Sequence, residues 1–277
     1  WRMAIKLMYI TNNPEVALIA QSAGVDRIFV DLEYIGKEAR QPGDTVKSKH
    51  TLDDVKKIRG VISKSDLLVR VNPIHENSKY EIDTAIRNGA DIVMLPYFKT
   101  VEEVRQFLQN VDGRAKTNLL LETEEAVDCL DEILSLDGID EIHIGLNDLH
   151  LSYHLQFMFE PLANGLVDHI IDKIKRYDIA YGFGGVAQIG QGTLPAESIL
   201  MEHYRLGSSM VILSRSFCNL EKTGSMEEVR KTFEKGVSNI RNFEHKIETM
   251  QRESYSINHA HLISLVQDIC HSMENRT

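Results

Sequence analysis

Four charged residues follow short apolar runs in a way that suggests chemistry. Val30-Asp31-Leu32 leads into Glu33, Leu68-Val69 into Arg70, and Leu120-Leu121 into Glu122. Ile144-Gly145-Leu146-Asn147 leads into Asp148. A charge carried next to core residues is costly unless it meets an opposite charge or a metal. The four therefore read as parts of one shared site rather than as separate surface charges. Two carboxylates that converge without histidine or cysteine nearby suit a hard cation such as Mg²⁺ or Mn²⁺, completed by water or substrate oxygens. Glu122 and Asp148 are the pair chosen as metal ligands. Such an ion polarises a keto oxygen and holds a neighbouring carboxylate. Arg70 offers a planar set of donors to the same developing negative charge. Asp31 and Glu33 are expected to position water, the metal or Arg70. Together these groups are equipment for making and stabilising an enolate.

The elements that must hold them alternate. Short runs rich in Val, Ile and Leu occur at residues 5–10, 27–32, 67–71, 92–95, 118–121, 141–144, 180–183 and 209–213. Most do not alternate strictly, as expected of parallel strands covered on both faces. Amphipathic stretches lie between them, opened by Asn13-Pro14 and by the capping-box patterns Thr51–Asp54, Thr100–Glu103 and Ser225–Glu228. Eight strand-plus-helix units predict a (β/α)8 TIM barrel, with a doubly wound open sheet as the rival. In the barrel, the chemistry sits at the carboxyl ends of the strands, where all four charges fall. Two more helical patterns, at 226–251 and 259–273, form a C-terminal helical extension within a single domain spanning 1–277. The first is expected to pack as the eighth helix, and the second to cover the barrel bottom or reach a neighbouring subunit.

Composition narrows the function classes. The 277-residue chain has 31 basic and 41 acidic residues, a formal charge of −10. That argues against a general nucleic-acid binder and against a basic membrane-surface protein. No apolar run approaches the roughly 18 residues of a membrane helix, and the first residues lack the pattern of a signal peptide. Cys129, Cys218 and Cys270 are far apart and are expected to be reduced thiols in a cytoplasmic protein. The sequon at Asn275-Arg276-Thr277 is read as unmodified.

The ordered segments Val30-Asp31-Leu32-Glu33, Leu68-Val69-Arg70-Val71-Asn72-Pro73, Gly89-Ala90-Asp91-Ile92-Val93-Met94-Leu95-Pro96, Leu121-Glu122-Thr123-Glu124-Glu125-Ala126-Val127 and Ile144-Gly145-Leu146-Asn147-Asp148-Leu149 resemble the HpcH/HpaI aldolase and citrate lyase β-subunit family. The resemblance runs over about residues 5 to 217. It implies a phosphoenolpyruvate/pyruvate-type barrel that forms or cleaves carbon–carbon bonds through a pyruvate-like enolate, in the manner of a class II aldolase. Glu122 and Asp148 fall on the family's metal ligands, and Arg70 on its catalytic arginine. The implied partners are a 2-oxo acid, an aldehyde and further copies of the chain, assembled through C-terminal helices. Three positions depart from the aldolase branch: Tyr34 replaces a histidine of the proton-transfer apparatus, Leu120 replaces a glutamine, and Gly145-Leu146-Asn147-Asp148 replaces Gly-Pro-Ala-Asp. The strand-two segment, with Lys37 and Arg40 beyond it, leans towards the citrate lyase branch. An acyl-CoA ester lyase and a non-catalytic ligand-binding barrel are the alternatives.

Weaker signals complete the site. Gly184 and Gly185, in Gly182-Phe183-Gly184-Gly185, are candidate substrate contacts together with Asn147. Gly190 and Gly192 read as turns before a helix capped near Thr193. His150 and His154 read as ordinary polar residues, or else one of them supplies the base missing at Tyr34. Tyr34 and Tyr153 are expected to be wall residues. The run from Lys47 to His50 is a solvated loop or part of a lid.

Overall fold

The computed structural model describes residues 4–36, 50–220 and 223–275. Its strands are β1 (Lys6–Ile10), β2 (Arg27–Asp31), β3 (Asp66–Arg70), β4 (Ile92–Leu95), β5 (Lys116–Leu121), β6 (Glu141–Ile144), β7 (Ala180–Val186) and β8 (Met210–Leu213). Each pairs in parallel with the next, and β8 returns to β1, so the sheet closes as an eight-stranded barrel. The (β/α)8 expectation holds and the open-sheet rival falls.

Side chains alternate in and out along each strand. Met8, Phe29, Leu68, Ile92, Met94, Leu120 and Met210 form a cluster inside the barrel. Their neighbours Leu7, Ile28, Val30, Leu67, Val69, Val93, Leu119 and Leu121 belong to the larger core under the helices. Both faces are thus apolar, which explains the absence of strict alternation in the sequence. Continued to the carboxyl ends, the inward parity selects Asp31, Arg70, Glu122 and Gly145.

At the amino ends the same parity places Arg27, Asn118 and Glu141 inside. The Arg27 guanidinium, fully buried, donates to both Glu141 carboxylate oxygens at 2.7 and 2.6 Å. Asn118 Nδ2 adds a third donor to Glu141 at 3.1 Å. Burial opposes the Glu141 charge, but the hydrogen bonds and charge of Arg27 outweigh it and hold the pKa below the usual value. Glu141→Gln keeps the volume and leaves a buried guanidinium without its carboxylate. It is expected to cost about 3–5 kcal/mol in urea unfolding; a loss below 1 kcal/mol would contradict this account of the barrel floor.

The helices are α1 (Pro14–Ser22), α2 (Leu52–Arg59), α3 (Ser78–Arg87), α4 (Val101–Val111), α5 (Glu124–Asp128), α6 (Leu130–Leu134), α7 (Leu146–Ser152), α8 (Glu160–Ala163), α9 (Leu166–Ile174), α10 (Ala196–Leu206), α11 (Met226–Glu248) and α12 (Arg252–Glu274). Asn13 caps α1 by accepting from the Glu15 and Val16 amides, and both expected Thr-led capping boxes form. At Ser225 only half the box forms, because the Glu228 carboxylate accepts from Gly224 instead. Thr193 caps nothing; Pro195 is the N-cap of α10, while Gly190 and Gly192 take left-handed turns.

Helix α11 packs against α1 and α10 as the eighth helix, burying Val229, Phe233, Val237, Ile240 and Ile247. Its buried Glu244 accepts from the Ile5 amide at 2.8 Å and so fixes the start of β1. Helix α12 buries Leu262 and Val266 against the outer helical layer, next to α10 and α8, which corrects its expected place across the barrel bottom. Its Asn258 and His259 both bond Glu202 of α10.

Candidate active site

A cavity of about 700 Å³ opens at the carboxyl ends of the strands. Arg70, Glu122, Asn147, Asp148, Gly184 and Gly185 all line it, so six of the eight residues singled out in the sequence meet there. The other two, Asp31 and Glu33, are buried and bind Arg70.

Arg70 ends β3 directly opposite Asp31 in the β2 register. Its Nε and Nη2 donate to the two Asp31 oxygens at 2.8 and 2.7 Å, a paired fork. Glu33 Oε2 lies 3.4 Å from Nη1. Beneath, the Phe29 ring centroid is 5.4 Å from the guanidinium carbon, within cation–π range. Burial disfavours the charged guanidinium, but Asp31, Glu33 and Glu122 together outweigh it and drive its pKa up. Arg70 is therefore a permanent, oriented cation. Of the expected roles for Asp31 and Glu33, positioning Arg70 is the one that the geometry displays.

The chain beyond β2 is fixed by Asn72. Its Oδ1 accepts from the Tyr34 and Ile35 amides at 2.9 and 3.0 Å, while its Nδ2 donates to Glu81 at 2.6 Å. Tyr34 is nevertheless 70% exposed and does not line the cavity. Tyr153 does not line it either; the tyrosine of the wall is Tyr9, whose hydroxyl donates to Cys218 O at 3.3 Å.

Glu122 follows the last residue of β5 and is almost fully buried. Its Oε1 accepts from the Tyr97 amide at 3.0 Å. Its other oxygen faces Gly145, where a Cβ would sit 2.7 Å from Oε2. Gly145 has φ −84° and ψ 88°, a conformation open to any residue, so the reason for glycine here is the close approach of Glu122. Gly145→Ala is expected to leave the barrel folded and to displace the Glu122 carboxylate. Activity should fall on the order of 100-fold, since shifts of about 1 Å at reacting groups cost that much; an unchanged rate would contradict the crowding argument.

Asp148 lies in the first turn of α7, and is buried at the cavity wall beside Asn147. Gly184 has φ +54°, and a Cβ there would meet Leu146 Cδ1 at 2.8 Å, so it serves helix packing as well as the wall. Leu120 and His143 are the inward residues of β5 and β6 that line the cavity beneath Glu122 and Gly145. His143 Nε2 bonds Gly184 O at 3.1 Å, and burial lowers its pKa to about 4, so the ring is neutral at neutral pH.

Two histidines line the cavity: His143, which the sequence reading does not single out, and His50, which it reads only as the end of a solvated loop or lid. His143 was discoverable from strand parity. His50 precedes the Thr51 capping box, which opens at the carboxyl side of the barrel. His150 and His154 do not line the cavity, so neither stands in for Tyr34. Lys37, Arg40 and the Lys47–Lys49 part of the loop lie outside the described residues.

Among the described residues no group of three or more His, Cys, Asp and Glu side chains forms a metal site by itself. Two carboxylates at one cavity still satisfy what Mg²⁺ asks of a protein, since it usually keeps water or substrate oxygens. The two carboxylates offer oxygen donors, although His50, His143 and Cys218 also line the cavity, which corrects the expectation of a site without histidine or cysteine nearby. The residues present fit a hard divalent ion.

The fold is thus an eight-stranded α/β barrel that brings a carboxylate-held arginine and two further carboxylates to the cavity at its carboxyl end. A profile of the HpcH/HpaI aldolase/citrate lyase family matches residues 6–157, more than half the chain. The chain belongs to that family, one of aldolases and lyases. No curated protein sequence matches it. Among solved structures, it is similar to an HpcH/HpaI aldolase from Desulfitobacterium hafniense DCB-2, with 16% identity, TM-score 0.60, and 86% of this chain and 93% of that one covered. A family protein from Burkholderia cenocepacia J2315 gives 17% identity, TM-score 0.58, and coverage of 82% and 95%. The citrate synthase SbnG gives 16% identity, TM-score 0.59, and coverage of 76% and 87%. At these identities the likeness is one of fold.

Proposed function

We propose that the protein is a divalent-metal-dependent carbon–carbon lyase that acts on a 2-oxo acid through a pyruvate-like enolate. The observation that carries this reading is Arg70, clamped by Asp31 and Glu33, at a cavity shared with Glu122 and Asp148. Family membership supports the reaction class. Glu122 and Asp148 would hold Mg²⁺ or Mn²⁺, which supplies Lewis-acid polarisation of a keto oxygen when bound. Arg70 has more N–H donors than Asp31 and Glu33 use, and it presents the remainder to negative charge growing on the substrate. Because its position is set in advance by two buried carboxylates, little reorganisation is needed as that charge forms. Asn147, Gly184 and Gly185 shape the wall against which the acid lies. The partner in condensation is an aldehyde.

The same reading has a reducing, cytoplasmic setting, which suits the free thiols of Cys129, Cys218 and Cys270. It includes assembly of several copies through the C-terminal helices, where Ile257 of α12 is exposed. Among the described residues no helix is long and apolar enough to cross a membrane.

Exchange of pyruvate methyl protons into deuterated water tests the reaction class without knowledge of the aldehyde. Exchange that depends on Mg²⁺ or Mn²⁺ is expected. Binding of metal and pyruvate without exchange would favour a ligand-binding barrel, and saturable cleavage of a CoA thioester would favour the ester lyase.

A further inference from the structure

The cavity has a second arginine. Arg215 lines it together with Ser214 and Ser216, on the turn that follows β8. Strand β8 is three strands from β3 in one direction and three from β5 in the other, so this turn lies across the barrel mouth from Arg70 and Glu122. The two arginines differ in what holds them. Arg70 is matched by Asp31 and Glu33. Arg215 is exposed, and its side chain makes no ion pair or hydrogen bond with a described residue, so its charge and donors are open to a ligand.

The turn itself is fixed. Ser214 N–H donates to Val186 O at 2.9 Å, which ties it to the end of β7. Phe217 N–H donates to Ser214 O at 2.9 Å, so Arg215 and Ser216 take the two central positions of a β-turn. Gln188 Nε2 donates to Phe217 O at 2.6 Å, and the buried Phe217 ring packs on Phe233 of α11. The Ser214 and Ser216 hydroxyls bond each other at 2.8 Å. Only one of them donates in that contact, which leaves the hydrogen of the other to donate outward. A guanidinium and a hydroxyl hydrogen on one fixed turn form a donor set for an anion. In barrels of this kind, the loops after the seventh and eighth strands are where phosphate is frequently held. A phosphate monoester brings about −1.5 to −2 charges and three acceptor oxygens, more than a carboxylate offers to the same donors. The cavity, at about 700 Å³, is of a size that takes ligands much larger than a three-carbon acid.

We propose that the Ser214–Phe217 turn holds a phosphate group on the aldehyde acceptor, and that Arg215 thereby selects phosphorylated aldehydes. This rests on the lyase reading above. The acceptor spans the mouth, with its carbonyl towards the enolate at Arg70 and its phosphate on Arg215. The phosphate ester is not broken in the carbon–carbon step and serves only as a handle.

Two measurements test this. Binding of glycerol phosphate, followed by titration calorimetry, needs no turnover. Wild type is expected to bind it, and Arg215→Ala to bind it about tenfold more weakly or worse, as loss of a charged hydrogen bond does. Condensation of pyruvate with glyceraldehyde phosphate, glyceraldehyde and succinic semialdehyde reads the selectivity. Wild type should favour the phosphorylated aldehyde over both others by about tenfold or more in kcat/KM. Arg215→Ala should lose most of that preference, and Arg215→Lys, which keeps the charge without the fork, should retain part of it. Equal binding of glycerol phosphate by wild type and Arg215→Ala, or selectivity that the substitution leaves unchanged, would overturn the proposal. A preference for succinic semialdehyde would overturn it too, by making the subsite one for carboxylate. Arg215-dependent binding of glycerol phosphate without metal-dependent pyruvate exchange would overturn the lyase reading and the acceptor role with it, and would leave the phosphate subsite standing.

Discussion

Arg70→Lys is expected to lower kcat/KM by about 100- to 1,000-fold while the protein stays folded. The argument turns on geometry rather than charge. Lysine keeps a cation between Asp31 and Glu33, which are nearly inaccessible to water. A single ammonium cannot, however, match both Asp31 oxygens in one plane, reach Glu33 and still present aligned donors to the cavity. Arg70→Ala is the less informative variant, because it leaves two buried carboxylates without their guanidinium. It should cost about 3–5 kcal/mol of stability in addition to activity. Steady-state kinetics with urea unfolding on both variants separates the two effects. A lysine variant within tenfold of wild type would show that charge alone suffices and that the fork has no special part.

The second large effect is expected at the carboxylate pair. Glu122→Gln and Asp148→Asn keep side-chain volume and remove one negative charge each. Loss of even an outer partner of a metal site typically costs about 10- to 100-fold in affinity. Loss of either proposed ligand should exceed that, and Mn²⁺ titration by electron paramagnetic resonance reads it without any turnover. Arg70→Lys should bind Mn²⁺ nearly as wild type does. Metal affinity and the enolate-stabilising donor then separate onto different residues. Unchanged Mn²⁺ affinity in both amide variants would remove Glu122 and Asp148 from the ligand set.

Much of this was legible in the sequence, because parallel strands buried on both faces leave continuous apolar runs. The ends of β2, β4, β5 and β6 fall within a residue or two of the expected ones. Strand β7 runs on to Val186, beyond the apolar run, because Gly184 and Gly185 lie within it and its pairing with β8 shifts register there. Glycines carry no apolar signal, so the extension was invisible. The Arg27–Glu141 pair was missed for a related reason: each residue opens its strand, where a charge resembles a solvated end. Only the inward parity, fixed once the barrel closes, reveals that the two meet.

The site divides in the same way. Arg70, Glu122 and Asp148 stood out because charges behind core residues demand a partner. His50 was legible only as the end of a polar run, read as a solvated loop or part of a lid, and its place at the cavity appears only in the fold. Tyr34 was legible as a departure from the family, but its outward direction was not. Helix α12 shows a similar limit: its sparse apolar positions predicted a helix without saying which surface it covers.

A crystal grown with Mn²⁺ and pyruvate tests the central claim most directly. The account predicts one anomalous peak between the carboxylates of Glu122 and Asp148, with pyruvate beside it and within reach of the Arg70 guanidinium. Mn²⁺ bound elsewhere, or pyruvate seated away from Arg70 at saturating concentration, would contradict it.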